Sequence, residues 1–128
     1  MIGYVTLGTN DLPKAAAFYD ELLGSIGAGR FMEEEGYFIA WATEPNQPSV
    51  AVSVPFNKEP ATVGNGTMVA LFVDAPEKVD ALYKKALELG GTDEGAPGFR
   101  PPEAEKGFYA GYFRDLDGNK LNAFCMVE

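Results

Sequence analysis

The sequence predicts an α+β protein in which two βαβββ repeats form a curved, cup-shaped sheet. Two stretches carry apolar residues at three- and four-residue intervals, which is the pattern of amphipathic helices. The segments around them alternate between apolar and polar residues, or are rich in β-branched and aromatic residues, as strands are. The third observation is an internal repeat: a shift of 64 residues places Tyr4 on Met68, Tyr19 on Tyr83 and Gly27 on Gly91.

Each repeat is too short to bury a sufficient core alone. We therefore expect residues 1–64 and 65–128 to pair across a pseudo-twofold axis and to form a single domain over residues 1–128. A ferredoxin-like βαββαβ sandwich is the competing fold. It has one strand fewer in each half, so the number of strand-like segments argues against it.

The first helix is predicted to begin at Asp11 and to end at Gly24. The Asp11 carboxylate can accept hydrogen bonds from free backbone N–H groups, and Pro13 fits a first turn that needs no N–H donor. The second helix is predicted from Pro76 to the Gly90-Gly91 pair. The apolar stripes are Leu12, Ala15, Ala16, Tyr19, Leu22 and Leu23 in the first helix, and Val79, Leu82, Tyr83, Ala86 and Leu89 in the second.

Strands are predicted in eight segments of the remaining sequence. The Asp117-Gly118 pair favours a tight hairpin between the last two of them. The proline-rich stretch 97–106 predicts a surface loop. The predicted strands cover residues 1–9, 30–34, 37–43, 49–54, 67–74, 92–94, 108–114 and 120–126.

Charge and composition exclude several classes of partner. Nineteen acidic and ten basic residues give a net charge of −9, and no cluster of Lys and Arg exists to bind a phosphate backbone. We therefore expect no nucleic-acid partner. No apolar run of about 18 residues and no signal peptide is recognisable, so we expect a cytoplasmic protein without a membrane partner. The single cysteine, Cys125, is expected to be a buried, inert thiol.

Three stretches carry a resemblance to a known family. They are the first strand and helix cap (YVTLGTND, 4–11), the AFY…LG helix pattern between Ala17 and Gly24, and the hairpin YFRDLDGN (112–119). Together they resemble the glyoxalase/bleomycin-resistance/extradiol-dioxygenase superfamily, also called the vicinal oxygen chelate superfamily. The resemblance covers essentially the whole chain in the right order, and it implies the paired βαβββ fold.

The resemblance also implies where a metal would be bound. The ligand positions of the metal-dependent members fall here on Tyr4, Met68 and Asn122, and the strand 49–54 lacks the further carboxylate of glyoxalases. A catalytic divalent metal needs several imidazole or carboxylate donors, and this chain contains no histidine. A phenol, a thioether and an amide are poor substitutes. We therefore predict no metal site and no cofactor.

Six residues are predicted to contact a ligand. Period-two alternation places Tyr4, Thr6, Met68 and Asn122 on the cup face. Trp41 and Tyr112 could supply stacking surfaces for a flat or cationic ligand. In the alternative interpretation these side chains fill the cup themselves, and the aromatic residues pack in the core or at a dimer interface.

The leading functional hypothesis is a metal-free member of this superfamily that binds a small organic molecule in the cup. The resemblance to bleomycin-resistance proteins, whose ligand clefts lie between subunits, implies a homodimer. One alternative is a glyoxalase-like lyase or isomerase with a non-standard or metal-free site. Another is an interaction module whose cup is closed.

Overall fold

The computed structural model describes residues 1–128. They form two compact units, Met1–Asn65 and Gly66–Glu128, which we call the first and second modules. Each module contains a strand, a helix and three further strands. The predicted α+β class with two βαβββ repeats is therefore confirmed. None of the helices is both long enough and apolar enough to cross a membrane.

The first module is a four-stranded sheet with one helix. Its strands lie in the order β1-β4-β3-β2, with β1 and β4 parallel and the other pairs antiparallel. The helix packs on β2, β3 and β4, so one face of the sheet is covered. The elements are β1 (Tyr4–Gly8), α1 (Leu12–Gly24), β2 (Gly29–Glu34), β3 (Phe38–Ala42) and β4 (Ser49–Ser53).

The second module repeats this arrangement. Its strand order is β5-β8-β7-β6, with β5 and β8 parallel, and its helix packs on β6, β7 and β8. Both ends of this helix lie 64 residues after the ends of α1, as the sequence repeat requires. The elements are β5 (Val69–Phe72), α2 (Pro76–Glu88), β6 (Thr92–Phe99), β7 (Gly107–Arg114) and β8 (Lys120–Val127).

The two helices begin in different ways. The Asp11 carboxylate caps α1 by accepting a hydrogen bond from the backbone N–H of Lys14 at 3.1 Å. Ala75 precedes α2 and offers no side-chain cap, so Glu77 in the first turn is the charge that favours this helix end. Both helices carry a proline in the first turn, as predicted.

The structure corrects the sequence interpretation of residues 97–106. Strand β6 continues to Phe99, so the loop begins only at Arg100. Two register irregularities interrupt its pairing with β7, between Asp93 and Gly95 and between Gly95 and Gly98. An edge strand tolerates Pro97 and irregular pairing because one side of its backbone needs no partner. The alternation of apolar and polar residues is lost along this strand, so the sequence predicts the strand only for residues 92–94.

The cores lie between each helix and the covered face of its sheet. Leu22 on α1 is 0% exposed and Leu82 on α2 is 1% exposed. Cys125 on β8 is buried, as expected, and this burial raises the pKa of its thiol. A buried thiol with a raised pKa is a weak nucleophile.

Candidate functional site

Each sheet has a second face that its helix does not cover, which we call the open face. Side chains alternate along a strand, so the buried Leu7 lies on the helix-covered face of the sheet while Tyr4 and Thr6 belong to the open face. Tyr4 is 69% exposed, and the parallel register pairs it with Ser49 and pairs Thr6 with Ala51. The open face of the first module is therefore accessible.

A cavity of about 600 Å³ lies on the open face of the first module. Its floor is made of small side chains, and bulky side chains surround them. Nothing in the lining is charged. The floor is Thr6, Ala40, Ser49, Ala51 and Ser53, the bulky wall is Tyr4, Phe31, Met32, Tyr37 and Phe38, and Gly3, Asn46 and Gln47 complete the lining.

A register shift on β2 explains two wall residues. Phe31 and Met32 are neighbours, and strict alternation would place them on opposite faces of the sheet. The pairing of β2 with β3 shifts between Arg30 and Met32, which allows both side chains to line the same cavity. Both are about half exposed. An edge strand thus contributes two apolar side chains in place of one.

The open face of the second module is occupied by aromatic rings. Phe124 contacts Phe72 with ring centroids 5.7 Å apart and stacks on Phe108 at 5.5 Å. The ring of Tyr112 has two cations near it, the Arg100 guanidinium at 5.4 Å and the Lys120 ammonium at 5.5 Å. Large aromatic side chains thus lie on this face, whereas small side chains line the cavity of the first module.

Asn122 lies on this same face and is only 1% exposed. The register pairs it with Ala70 on β5 and with Tyr112 on β7. Its Oδ1 atom is buried and accepts no hydrogen bond within the protein. Leaving a buried acceptor unpaired costs about 1–3 kcal/mol, so this amide is a locally unfavourable feature of the sheet.

The structure divides the predicted ligand contacts into three groups. Tyr4 and Thr6 line the 600 Å³ cavity together. Met68, Tyr112 and Asn122 belong to the second module, where Met68 is 41% exposed. Trp41 lines no part of the cavity and is 1% exposed, so it packs in the core.

The position of Trp41 follows from its contacts with α1. Its indole N–H donates a hydrogen bond to Asp20 Oδ1 at 2.9 Å, and its ring lies 5.6 Å from that of Tyr19. Asp20 also accepts two hydrogen bonds from Arg30. These bonds hold the pKa of the Asp20 carboxyl below its ordinary value, with the bond from Arg30 as the main cause.

The residues at the family's metal positions do not fit a catalytic metal. Tyr4, Met68 and Asn122 supply a phenol, a thioether and an amide, none of which carries the negative charge that divalent ions prefer. The structure contains no group of three or more His, Cys, Asp or Glu side chains with the geometry of a metal site. These three positions therefore lack the donors that a metal-dependent reaction needs.

Sequence reasoning missed most of the cavity lining. The one available signal was the Ser49, Ala51 and Ser53 series, which alternates with two valines and marks a face without bulky side chains. Phe31 and Met32 had no such signal, because a register shift is not visible in the pattern of residues. Asn46 and Gln47 lie in a connecting loop, where no periodicity exists to interpret.

The fold and the motifs place the chain in a family. Residues 1–123 match the model of the Glyoxalase/Bleomycin resistance protein/Dioxygenase superfamily, and the chain belongs to it. The resemblance inferred from the three sequence stretches is therefore confirmed. No curated protein matches the chain significantly.

Solved structures of relatives agree with this assignment. A glyoxalase/bleomycin resistance protein from Albidiferax ferrireducens T118 is 35% identical with a TM-score of 0.85, and the match covers 98% of both chains. A hypothetical protein from S. aureus is 26% identical with a TM-score of 0.69, covering 98% of this chain and 96% of that one. A lactoylglutathione lyase from Agrobacterium tumefaciens, at 20% identity and a TM-score of 0.69, covers 97% and 92% and shares the fold.

Proposed function

We propose that this protein binds a small organic molecule in the cavity of the first module, without a bound metal. Tyr4 and Thr6 are the predicted ligand contacts that line this cavity. Its volume of about 600 Å³ is within the range of ordinary ligand sites, about 300–1,000 Å³. An apolar wall with a few neutral polar groups is the composition that such sites usually have.

The small side chains of the cavity floor are the observation that carries the proposal. Ala40, Ala51 and Ser49 occupy central positions of the sheet, where bulky side chains would fill the space. Small side chains at those positions forgo packing contacts that the module could have made. A ligand that fills the cavity supplies those contacts, and an apolar ligand gains about 25 cal/mol for each Å² of apolar surface removed from water.

Filling the floor tests this proposal directly. Ala51→Phe places an aromatic ring in the cavity, and Ala81→Phe makes the same change at an exposed position of α2. A library of small organic molecules is screened against the unmodified protein by thermal shift, and hits are measured by calorimetry. We expect Ala51→Phe to weaken each hit at least tenfold and Ala81→Phe to leave it unchanged. Hits insensitive to Ala51→Phe, or an absence of hits, contradict the proposal.

The absence of a bound metal is tested separately. We expect elemental analysis of the purified protein to find no stoichiometric zinc, nickel or iron, because the family's ligand positions hold neutral donors. About one metal ion per chain would contradict this part of the proposal. Binding of the organic ligand in the presence of a chelator is the matching positive observation.

The alternative is a glyoxalase-like lyase or isomerase with a non-standard or metal-free site. Proton transfer from carbon needs a positioned base, and no carboxylate, imidazole or thiol lines the cavity. We therefore expect no turnover of the methylglyoxal–glutathione adduct with chelator present. Turnover that survives the chelator and is lost in Tyr4→Phe would favour the enzyme.

Several sequence-based expectations stay predictions. Met68, Tyr112 and Asn122 are predicted ligand contacts on the second module, tested by substituting each and repeating the calorimetry. A homodimer is predicted, so light scattering should give twice the 13.8 kDa chain mass. The cytoplasmic location is tested by fractionation of cells that express the protein.

A further inference from the structure

The cavity of the first module adjoins a second, smaller one of about 430 Å³. Three side chains, those of Thr6, Tyr37 and Ser53, line both spaces, so the two cavities meet at these residues. The segment 55–62, which we call the strap, supplies most of the remaining lining of the smaller cavity, and Gly8 and Val54 supply the rest. A ligand in the larger cavity can extend past Thr6 and Tyr37 into the space under the strap.

Contacts in its middle and near its C-terminal end hold the strap against the module. Asn10, just before α1, exchanges two hydrogen bonds with the backbone of Ala61, of 3.2 Å and 2.7 Å. The Lys58 ammonium lies 5.2 Å from the centre of the Tyr37 ring, within the range of a cation–π contact. The smaller cavity is therefore formed before any ligand arrives, which lowers the ordering cost of binding.

The charge of the lining identifies the class of ligand. The smaller cavity has one charged lining residue, Glu59, and the larger cavity has none, although charged residues make up 23% of the chain. A charged group placed there would lose hydration without gaining an opposite charge, which is strongly unfavourable. The hydroxyl and amide groups of Thr6, Ser49 and Gln47 instead suit neutral hydrogen-bonding groups on the ligand.

We propose that the ligand is an elongated aromatic molecule whose flat body is uncharged. Its flat body lies in the larger cavity among the rings of Tyr4, Tyr37 and Phe38, and its extension passes Thr6 to lie under the strap. This proposal rests on the proposed function, because it assigns a ligand class to the same cavity. The shape and the charge of the ligand can be tested separately from whether the cavity binds a ligand at all.

Two series of probes measure charge and length. The charge series is naphthalen-2-ol, naphthalene-2-carboxylate and 2-naphthylmethylammonium, with affinities from calorimetry at neutral pH. We expect the neutral probe to bind at least about tenfold more tightly than either ion. The length series compares naphthalen-2-ol with 6-phenylnaphthalen-2-ol, whose additional ring should raise affinity about tenfold by burying more apolar surface.

A substitution in the strap separates the effect of ligand length from a general change in affinity. Thr62→Trp adds a bulky ring to the lining of the smaller cavity, and Thr92→Trp makes the same change at an exposed position of β6. We expect Thr62→Trp to reduce the long probe to the affinity of the short one and to leave the short probe unchanged. Thr92→Trp should alter neither.

The outcomes distinguish this proposal from the one before it. Equal binding of neutral and charged probes, or a long probe that gains nothing over the short one, overturns the elongated ligand with an uncharged flat body and leaves the cavity as a binding site. Binding of no probe, while library hits are still weakened by Ala51→Phe, overturns this proposal alone. Binding that is unaffected by Ala51→Phe overturns the proposed function and this proposal with it.

Discussion

The two modules share one backbone plan and differ in the size of the side chains on their open faces. Both sheets have the same strand order and the same helix position. In the first module Ala40 and Ala51 line a cavity, whereas in the second Phe124 contacts both Phe72 and Phe108. With the same topology, the open face of one module thus carries small side chains that line a cavity, and that of the other carries large aromatic ones.

Truncating one buried leucine in each helix tests whether the two covered cores contribute equally to stability. Leu22→Ala and Leu82→Ala each remove a fully buried leucine from a helix, in the first and second module respectively. We expect each to lower the free energy of unfolding by about 3 kcal/mol, because each leaves a cavity in a packed core. Urea denaturation followed by circular dichroism measures both. A large inequality would show that the modules differ in their cores as well.

Substitutions on the open faces should lower the free energy of unfolding by less, and by different amounts in the two modules. Phe124→Ala removes a ring that contacts two others, so we expect a loss of about 2 kcal/mol. Phe38→Ala removes a cavity-wall ring that contacts one other ring, that of Tyr37, so the loss should be about 1 kcal/mol. Equal losses in the same denaturation assay would show that open-face rings contribute equally to the stability of both modules.

The helix-to-sheet polar contacts provide a pH test for the first module. The pKa of Asp20 is lowered mainly by its hydrogen bond from Arg30, so the folded state favours the carboxylate. This contribution is present above the ordinary value of 3.8 and is lost as pH falls through the lowered pKa. Asp20→Asn should cost about 0.5–1 kcal/mol at pH 7, since the pair is partly exposed, and the difference should shrink below pH 4. Unfolding at several pH values measures it.

The corresponding contact of the second module responds to alkaline pH. The Tyr109 hydroxyl donates a hydrogen bond to Asp80 on α2 at 2.7 Å, and this bond raises the pKa of Tyr109 to about 12. Its contribution is therefore complete below the ordinary value of 10.0 and is lost as pH rises toward 12. Subtracting the Tyr109→Phe titration at 295 nm from that of the unmodified protein should reveal one phenol ionising near 12. An ordinary titration of that phenol would contradict the contact.

The sequence was informative where periodicity was strong. Both helices and the repeat follow from the apolar stripes and from the cap at Asp11, because local rules govern these features. The extent of β6 and the joint orientation of Phe31 and Met32 depend on register irregularities, which side-chain patterns do not encode. Trp41 illustrates the same limit, because its hydrogen bond to Asp20 joins residues 21 positions apart.

The burial of Trp41 has a practical consequence. It is the only tryptophan in the chain, and it lies in the first module beneath α1. Indole emission is therefore an optical signal of the first module alone, whereas circular dichroism records both helices. If the two signals change at different temperatures during heating, the modules melt as separate cooperative units.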